Sequence, residues 1–338
     1  MSVLISHDSA LEYWRSVPPQ VDTSTEIPTP LPSTEYSTTA RDLAAFDAAA
    51  YGITQKPLHV LGGNDVRRSS AADVKPHTCS LAHLPPSSVR ALEPHVYVSG
   101  PELAFAQLSR SLGEMGAALL GFELCGDYSH FSAPISGFYD RPALTDTARM
   151  AQVFSQLKGL YGLTSAQQAL KLVIDGARSP METVLACMLS FPARLGGLAF
   201  AKPKLNFEVP FSGTASRLAG TKCCRVDIAW PEQRIGFEYN GAAYHQDAEK
   251  DRRRTEALQS TGWTIYVIDM ARITRYSELA KYAALIEEKV TKQAGASAPL
   301  SARKVLLDRL LGMTRFGWGM NSVLFGVPVP AGTVQTHL

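Results

Sequence analysis

The 338-residue sequence has no run of 18 consecutive apolar residues and no basic amino-terminal stretch leading into an apolar one. A membrane-spanning helix needs about 20 predominantly apolar residues, so neither a spanning segment nor a secretory leader is expected. There is no C-x-x-C pair. Cys79, Cys125 and Cys187 stand alone, and Cys223 and Cys224 are adjacent. Neighbouring residues point to opposite faces of a strand and rarely bridge each other. Free thiols in a reducing cytosol are therefore expected, and with them a soluble, cytoplasmic protein. None of the eight histidines falls at ligand spacing from a cysteine pair, which argues against a structural zinc site. Charge of one sign is also lacking, the formal net charge being +2. Any contact with nucleic acid must then come from a local patch rather than from bulk charge.

What is present suits globular structure. The chain is 45% hydrophobic and 19% charged, enough to bury sizeable cores, and its length suggests two domains. Residues 17–39 are rich in Pro, Ser and Thr, which suits an extended loop or arm. A helix is expected from Thr39 to Tyr51, stopped by Gly52. Leu58 to Leu61 reads as a strand with Gly62-Gly63-Asn64-Asp65 as its turn, and Val74 to Leu81 and His95 to Val98 as further strands. Ser99 and Glu102 have capping-box spacing for the next helix, and a second helix follows from Glu114 to Leu124. Residues 125–145 carry Gly126, Pro134, Gly137 and Pro142 and read as a loop. Helices are expected at about 146–159 and 164–175, with a boundary near Gly176. The expected class is α/β: an α+β module with a helical linker over 1–176, a mixed-sheet domain flanked by helices over 177–292, and a helix and tail over 293–338.

The chemistry concentrates between Arg225 and Ile268. Arg225 to Trp230 alternates, with Val226 and Ile228 on one face and Asp227 on the other. Pro231-Glu232-Gln233-Arg234 reads as a turn, and Ile235 to Tyr239 alternates again. A four-residue loop sets Trp230 opposite Ile235, which sets Asp227 opposite Glu238. Opposed side chains have Cβ atoms about 5 Å apart. Two like charges so placed call for a neutralising partner, and hard divalent cations prefer carboxylate oxygens. A slip of one residue would put the two acids on opposite faces. Asn240-Gly241 signals a bend, a charged helix runs from Asp247 to about Ser260, and Trp263 to Ile268 reads as a strand that joins the same sheet by a crossover. Upstream, Ser179-Pro180-Met181-Glu182 opens a helix with a capping box.

Helix, hairpin with Asp then Glu, helix, strand is the core order of the PD-(D/E)XK nucleases. Val226-Asp227, Glu238-Tyr239-Asn240-Gly241, His245, Asp251 to Arg254, and Gly262-Trp263 together resemble the small domains related to very-short-patch-repair endonucleases, over residues about 179–290. The resemblance implies a metal-dependent endonuclease acting on nucleic acid, with DNA the expected substrate. Glu182, Asp227 and Glu238 would hold Mg²⁺, with Mn²⁺ as substitute. His245 would handle a proton. Asn240 stands where the superfamily has a Lys that positions the attacking water; Lys222 or Arg225 could replace it. Lys250, Arg252, Arg253 and Arg254 would hold the backbone, supported by Asp251. Further upstream, His7-Asp8-Ser9-Ala10 to Trp14, Pro57-Leu58-His59-Val60, Pro85-Pro86 and Val98 to Leu103 resemble the body of AbiEi-type antitoxins. That likeness implies a protein partner for the first module, without the family's winged-helix reader.

For each residue a plainer role competes. Glu182 can be a capping residue alone, His245 a loop histidine, and Asp251 and Arg254 an i,i+3 surface pair. The basic run can be a solvated face. A catalytically inactive nuclease fold acting as a DNA-binding or antitoxin-like regulator is the competing function.

Overall fold

The structure, a computed structural model, describes residues 2–17, 31–32, 36–62, 72–131, 137–240, 248–292 and 299–316. The protein has an α/β fold with mixed sheets, and it divides into two units between Val173 and Ile174. Among the described residues no helix is long and apolar enough to cross a membrane.

In the first unit, the buried tripeptide β1 (Val3–Ile5) leads directly into α1 (His7–Ser16). There follow β2 (Leu31–Pro32), β3 (Leu58–Gly62), β4 (Val74–Thr78), β5 (His83–Leu84), β6 (Val89–Glu93) and β7 (Val96–Ser99). A five-stranded sheet runs β4-β3-β1-β7-β6, with β1 antiparallel to β3 and parallel to β7. Val3, Ile5 and Val60 pack against Ala10 and Trp14 of α1. The unit closes with α2 (Pro101–Leu124), the hairpin β8 (Tyr128–His130) and β9 (Phe138–Asp140), α3 (Thr147–Gln156) and α4 (Leu163–Leu170). Non-helical Gly113, at φ 69°, divides α2 into the two helices expected from sequence.

Three local expectations are corrected. Residues 39–51 form turns and a 3-10 segment at Ala48–Tyr51, although Gly52 does end it in the left-handed conformation. The Ser99–Glu102 capping box does not form. Gly100 is the cap, and buried Glu102 accepts from Thr145 Oγ1 at 2.7 Å and Arg149 Nε at 3.0 Å, because charge-assisted partners outcompete a backbone amide. The expected loop at 125–145 contains the β8–β9 hairpin, whose three-residue strands are too short to show a period. Gly63 to Asp65, the rest of the expected turn, lie outside the described residues.

This unit also gathers three histidines. His7 stacks on His77 with ring centroids 3.5 Å apart. His59 Nδ1 lies 3.1 Å from His77 Nε2 and 3.2 Å from Asp8 Oδ2. Burial, then neighbouring charge, pushes His59 down to about 4 and His77 to about 3. His7 lies well below the usual range for the same reasons.

The second unit begins with α5 (Pro180–Ser190), followed by β10 (Lys204–Pro210), α6 (Gly213–Ala219), β11 (Cys223–Trp230) and β12 (Ile235–Asn240). Then come α7 (Ala248–Ser260), β13 (Thr264–Asp269), α8 (Met270–Thr274), α9 (Tyr276–Glu287) and α10 (Leu300–Phe316). The sheet runs β10-β11-β12-β13. The first three strands form an antiparallel meander, and β13 returns parallel to β12 after α7. A parallel neighbour needs a crossover of this kind. Ile228↔Phe237, Ala229↔Gly236 and Trp230↔Ile235 pair around the Pro231–Arg234 turn, the register expected from sequence. Val209, Val226 and Ala229 bury against Ala257 and Leu258 of α7.

Candidate acidic site

Asp227 sits where two ladders are interrupted. On the β10 side, Leu205 pairs with Ile228 and Phe207 with Val226, and no pair joins Asn206 to Asp227. Asn206 has φ 48°, a left-handed conformation that Asn tolerates better than most residues. On the β12 side, the ladder ends at Ile228↔Phe237. Strict alternation would part Val226 from Ala229, yet both lie in one core cluster with Ala257 and Leu258. Alternation therefore breaks at Asp227–Ile228. The Asp227 carboxylate turns to the backbone of β12 and accepts from the Tyr239 amide at 2.8 Å.

Glu182 reaches this point from the first turn of α5. Its amide donates to Ser179 Oγ at 3.2 Å, and the Ser179 hydroxyl donates to Glu182 Oε1 at 3.1 Å. Glu182 Oε2 accepts from the Arg178 amide at 2.9 Å and from Asn206 Nδ2 at 2.6 Å. Asn206 Nδ2 also donates to the Gly176 carbonyl at 2.9 Å. The Ser179 half of the expected capping box is thus present, while the Glu182 carboxylate reaches past the cap's own amide to that of Arg178 and lies beside Asp227. Burial first, and then the Asp227 charge, push Glu182 up to about 7. Asp227 is also raised, by burial, against the opposing effects of the Tyr239 amide, Arg254 and Arg178.

Glu238 is engaged from another direction. Arg254 of α7 donates through Nη1 to Glu238 Oε2 and through Nη2 to the Arg225 carbonyl. The Glu238 side chain is 15% exposed and that of Arg254 32%. Burial disfavours the Arg254 charge, but Glu238 outweighs it, with Cys224 and Asp227 adding to the same effect. The β11–β12 ladder does not extend to the expected Asp227–Glu238 pair: Asp227 lies beside Glu182, and Glu238 pairs with Arg254. Among the described residues no group of three or more His, Cys, Asp or Glu is arranged to hold a metal ion.

The other expected residues divide clearly. Arg252 pairs with Glu249 at 2.8 Å and with Glu256, and Arg253 with Glu249 at 2.8 Å, all on one exposed helix. Lys250 is exposed, and half-buried Asn240 ends β12 opposite Asp269. Lys222 and Arg225 are exposed. His245, Gly241 and the side chain of Asp251 lie outside the described residues. Sequence reasoning missed β10, and with it Asn206, and also Arg178. The alternation of Leu205, Phe207 and Val209 was the available signal for the strand.

No family model matches the chain, and no solved structure does. Two curated relatives match. Uncharacterized protein MT2308 of Mycobacterium tuberculosis (strain CDC 1551 / Oshkosh) is 29% identical over 143 residues, 38% of this chain and 48% of the relative. Uncharacterized protein Rv2248 of strain ATCC 25618 / H37Rv matches with the same figures. The chain thus spans about half the length of the curated relatives it matches.

Proposed function

We propose that the second unit is a metal-dependent phosphodiesterase of the PD-(D/E)XK type, an endonuclease acting on DNA. The observation that carries this reading is that Asn206, which faces Asp227 across the interrupted β10–β11 ladder, holds the Glu182 carboxylate at 2.6 Å, so that one acid from a helix and one from a strand share a site. Two carboxylates brought together where water is largely excluded favour a cation between them. The donors are all hard carboxylate oxygens, which fits Mg²⁺ or Mn²⁺. Glu182 and Asp227 would hold the ion, with Glu238 on the adjacent strand as third donor. Bound there, the ion supplies a water of lowered pKa and offsets charge developing on the phosphate. Asn206 orients Glu182, and the Tyr239 amide orients Asp227. Half-buried Asn240, two residues after Glu238, offers an amide for a water but no positive charge. Arg254, and Lys250 one turn before it, are the α7 cations assigned to the phosphate backbone.

The second reading is a nuclease fold that binds DNA without cutting it. Asn240 in the Lys position favours it, as does the Arg254–Glu238 ion pair. The discriminating experiment incubates the protein with supercoiled, linear and mismatched DNA and Mg²⁺ or Mn²⁺, beside Asp227→Ala and Glu238→Ala. Metal-dependent cleavage lost in both variants is the expected result. Substrates left equally intact by all three proteins would leave the binding reading in its place.

A further inference from the structure

We infer that Arg254 is a phosphate-operated latch on Glu238, so that the third carboxylate becomes available to a cation when nucleic acid binds. This inference rests on the proposed nuclease reading. Of the α7 arginines that the sequence led one to expect at phosphate, Arg252 and Arg253 face solvent and pair with Glu249 or Glu256 on their own helix. Arg254 instead turns inward. One arm of its guanidinium holds Glu238 Oε2, the other holds the Arg225 carbonyl, and its charge also reaches Asp227. A guanidinium so placed supplies the positive charge that a divalent ion would bring to the same acids.

The two cations compete for Glu238. A phosphodiester alters the competition, because guanidinium binds phosphate in the same two-armed geometry as carboxylate. Lys250 lies four residues before Arg254, on the same helix face, and its exposed side chain can take the neighbouring phosphate. In the exchange, Arg254 leaves Glu238 for a phosphate oxygen and the dication takes its place. Glu238 keeps a cationic partner throughout, and no covalent bond is made or broken. Binding is coupled in both directions: DNA tightens metal, and metal tightens DNA by the same factor.

The test measures free Mn²⁺ by electron paramagnetic resonance during titration of the full chain, with the Mn²⁺ that each duplex binds on its own measured separately and subtracted. One arm has no DNA, one a nuclease-resistant phosphorothioate duplex, and one a methylphosphonate duplex lacking backbone charge. For the wild type, the phosphorothioate duplex should tighten Mn²⁺ by about tenfold, or about 1.4 kcal/mol, and the methylphosphonate duplex should not. Arg254→Gln should bind Mn²⁺ about tenfold tighter without DNA, and the duplex should add nothing. Arg254→Lys, a point charge unable to span Glu238 and Arg225 together, should move the same way, so the comparison survives should the Gln variant unfold. Asp227→Ala should abolish binding. Mn²⁺ binding that depends on Asp227 but ignores both Arg254 and the duplex would overturn the latch and leave the nuclease reading standing. No Mn²⁺ binding by any protein, with or without DNA, would overturn both.

Discussion

The side-chain amide of Asn206 lies 2.6 Å from the Oε2 atom of Glu182, and Asn206 holds a left-handed backbone to put it there. One residue thus combines a conformation that few side chains adopt with a hydrogen bond to a buried carboxylate. The two contributions are separable by substitution. Asn206→Ala loses the donor and strains the backbone, and should cost about 2–3 kcal/mol of stability. Asn206→Gly loses the donor but keeps the conformation, and should cost about 1 kcal/mol less than Ala. Equal losses in chemical denaturation would show that the backbone there is unstrained.

Metal should stabilise the protein if the acidic site is a cation site. Mg²⁺ or Ca²⁺ at about 100 times its dissociation constant adds about 2.7 kcal/mol to whatever state binds it. The melting temperature of the second unit should rise accordingly, and Asp227→Ala should abolish the rise. A rise of equal size in that variant would place the ion elsewhere.

Gly236, on β12, leaves no room for a side chain. A Cβ there would stand 2.4 Å from Val226 Cγ1 and 3.0 Å from Ile265 Cδ1. Gly236→Ala should destabilise the second unit by about 1–3 kcal/mol through overpacking. Val226→Ala in the same chain removes the closest obstacle, so the double variant should lose less than the two single losses added together. Strict additivity would contradict the proposed clash.

The first unit should weaken in acid. Two of its buried or half-buried histidines titrate below the unfolded value of 6.5, His59 at about 4 and His77 at about 3. Between those values and 6.5 the unfolded chain binds more protons than the folded one, so stability falls as pH falls. The contribution is complete above 6.5 and is lost downward toward 4. His59 alone should account for about 2 kcal/mol at pH 5, and the more exposed His77 for less. His59→Gln should flatten the profile of melting temperature against pH. An unchanged slope in that variant would show that His59 does not drive the acid loss.

Much of the second unit was legible because its signals are local. A turn at Pro231 to Arg234 between two alternating runs sets the β11–β12 register by itself, and a helix between strands calls for the parallel return of β13. The break at Asp227–Ile228 was not legible. It depends on Asn206, Tyr239 and Val226 meeting across three strands, and no period within one strand reports that. Glu182 was readable as a cap from its spacing to Ser179, while its place beside Asp227 comes from the packing of α5 on the sheet. Arg254 was assigned outward, to solvent and phosphate, because a charged run gives no sign of which member turns in. Glu102 misled for a similar reason: the spacing to Ser99 was right, but Arg149 and Thr145 offered stronger partners from far along the chain.

The Gly176 carbonyl has a bearing on where this protein can be cut. It accepts from the same amide nitrogen that holds Glu182, and two residues later the Arg178 amide holds that carboxylate directly. A fragment starting at Ile174 retains both groups. One starting at Ser179 would keep every strand and helix of the second unit, yet would begin with a charged terminus where a neutral backbone donor belongs. Such a fragment could fold well and still report the wrong acid chemistry. The edge of the acidic site lies ahead of the first helix, in residues that shape alone would mark as expendable.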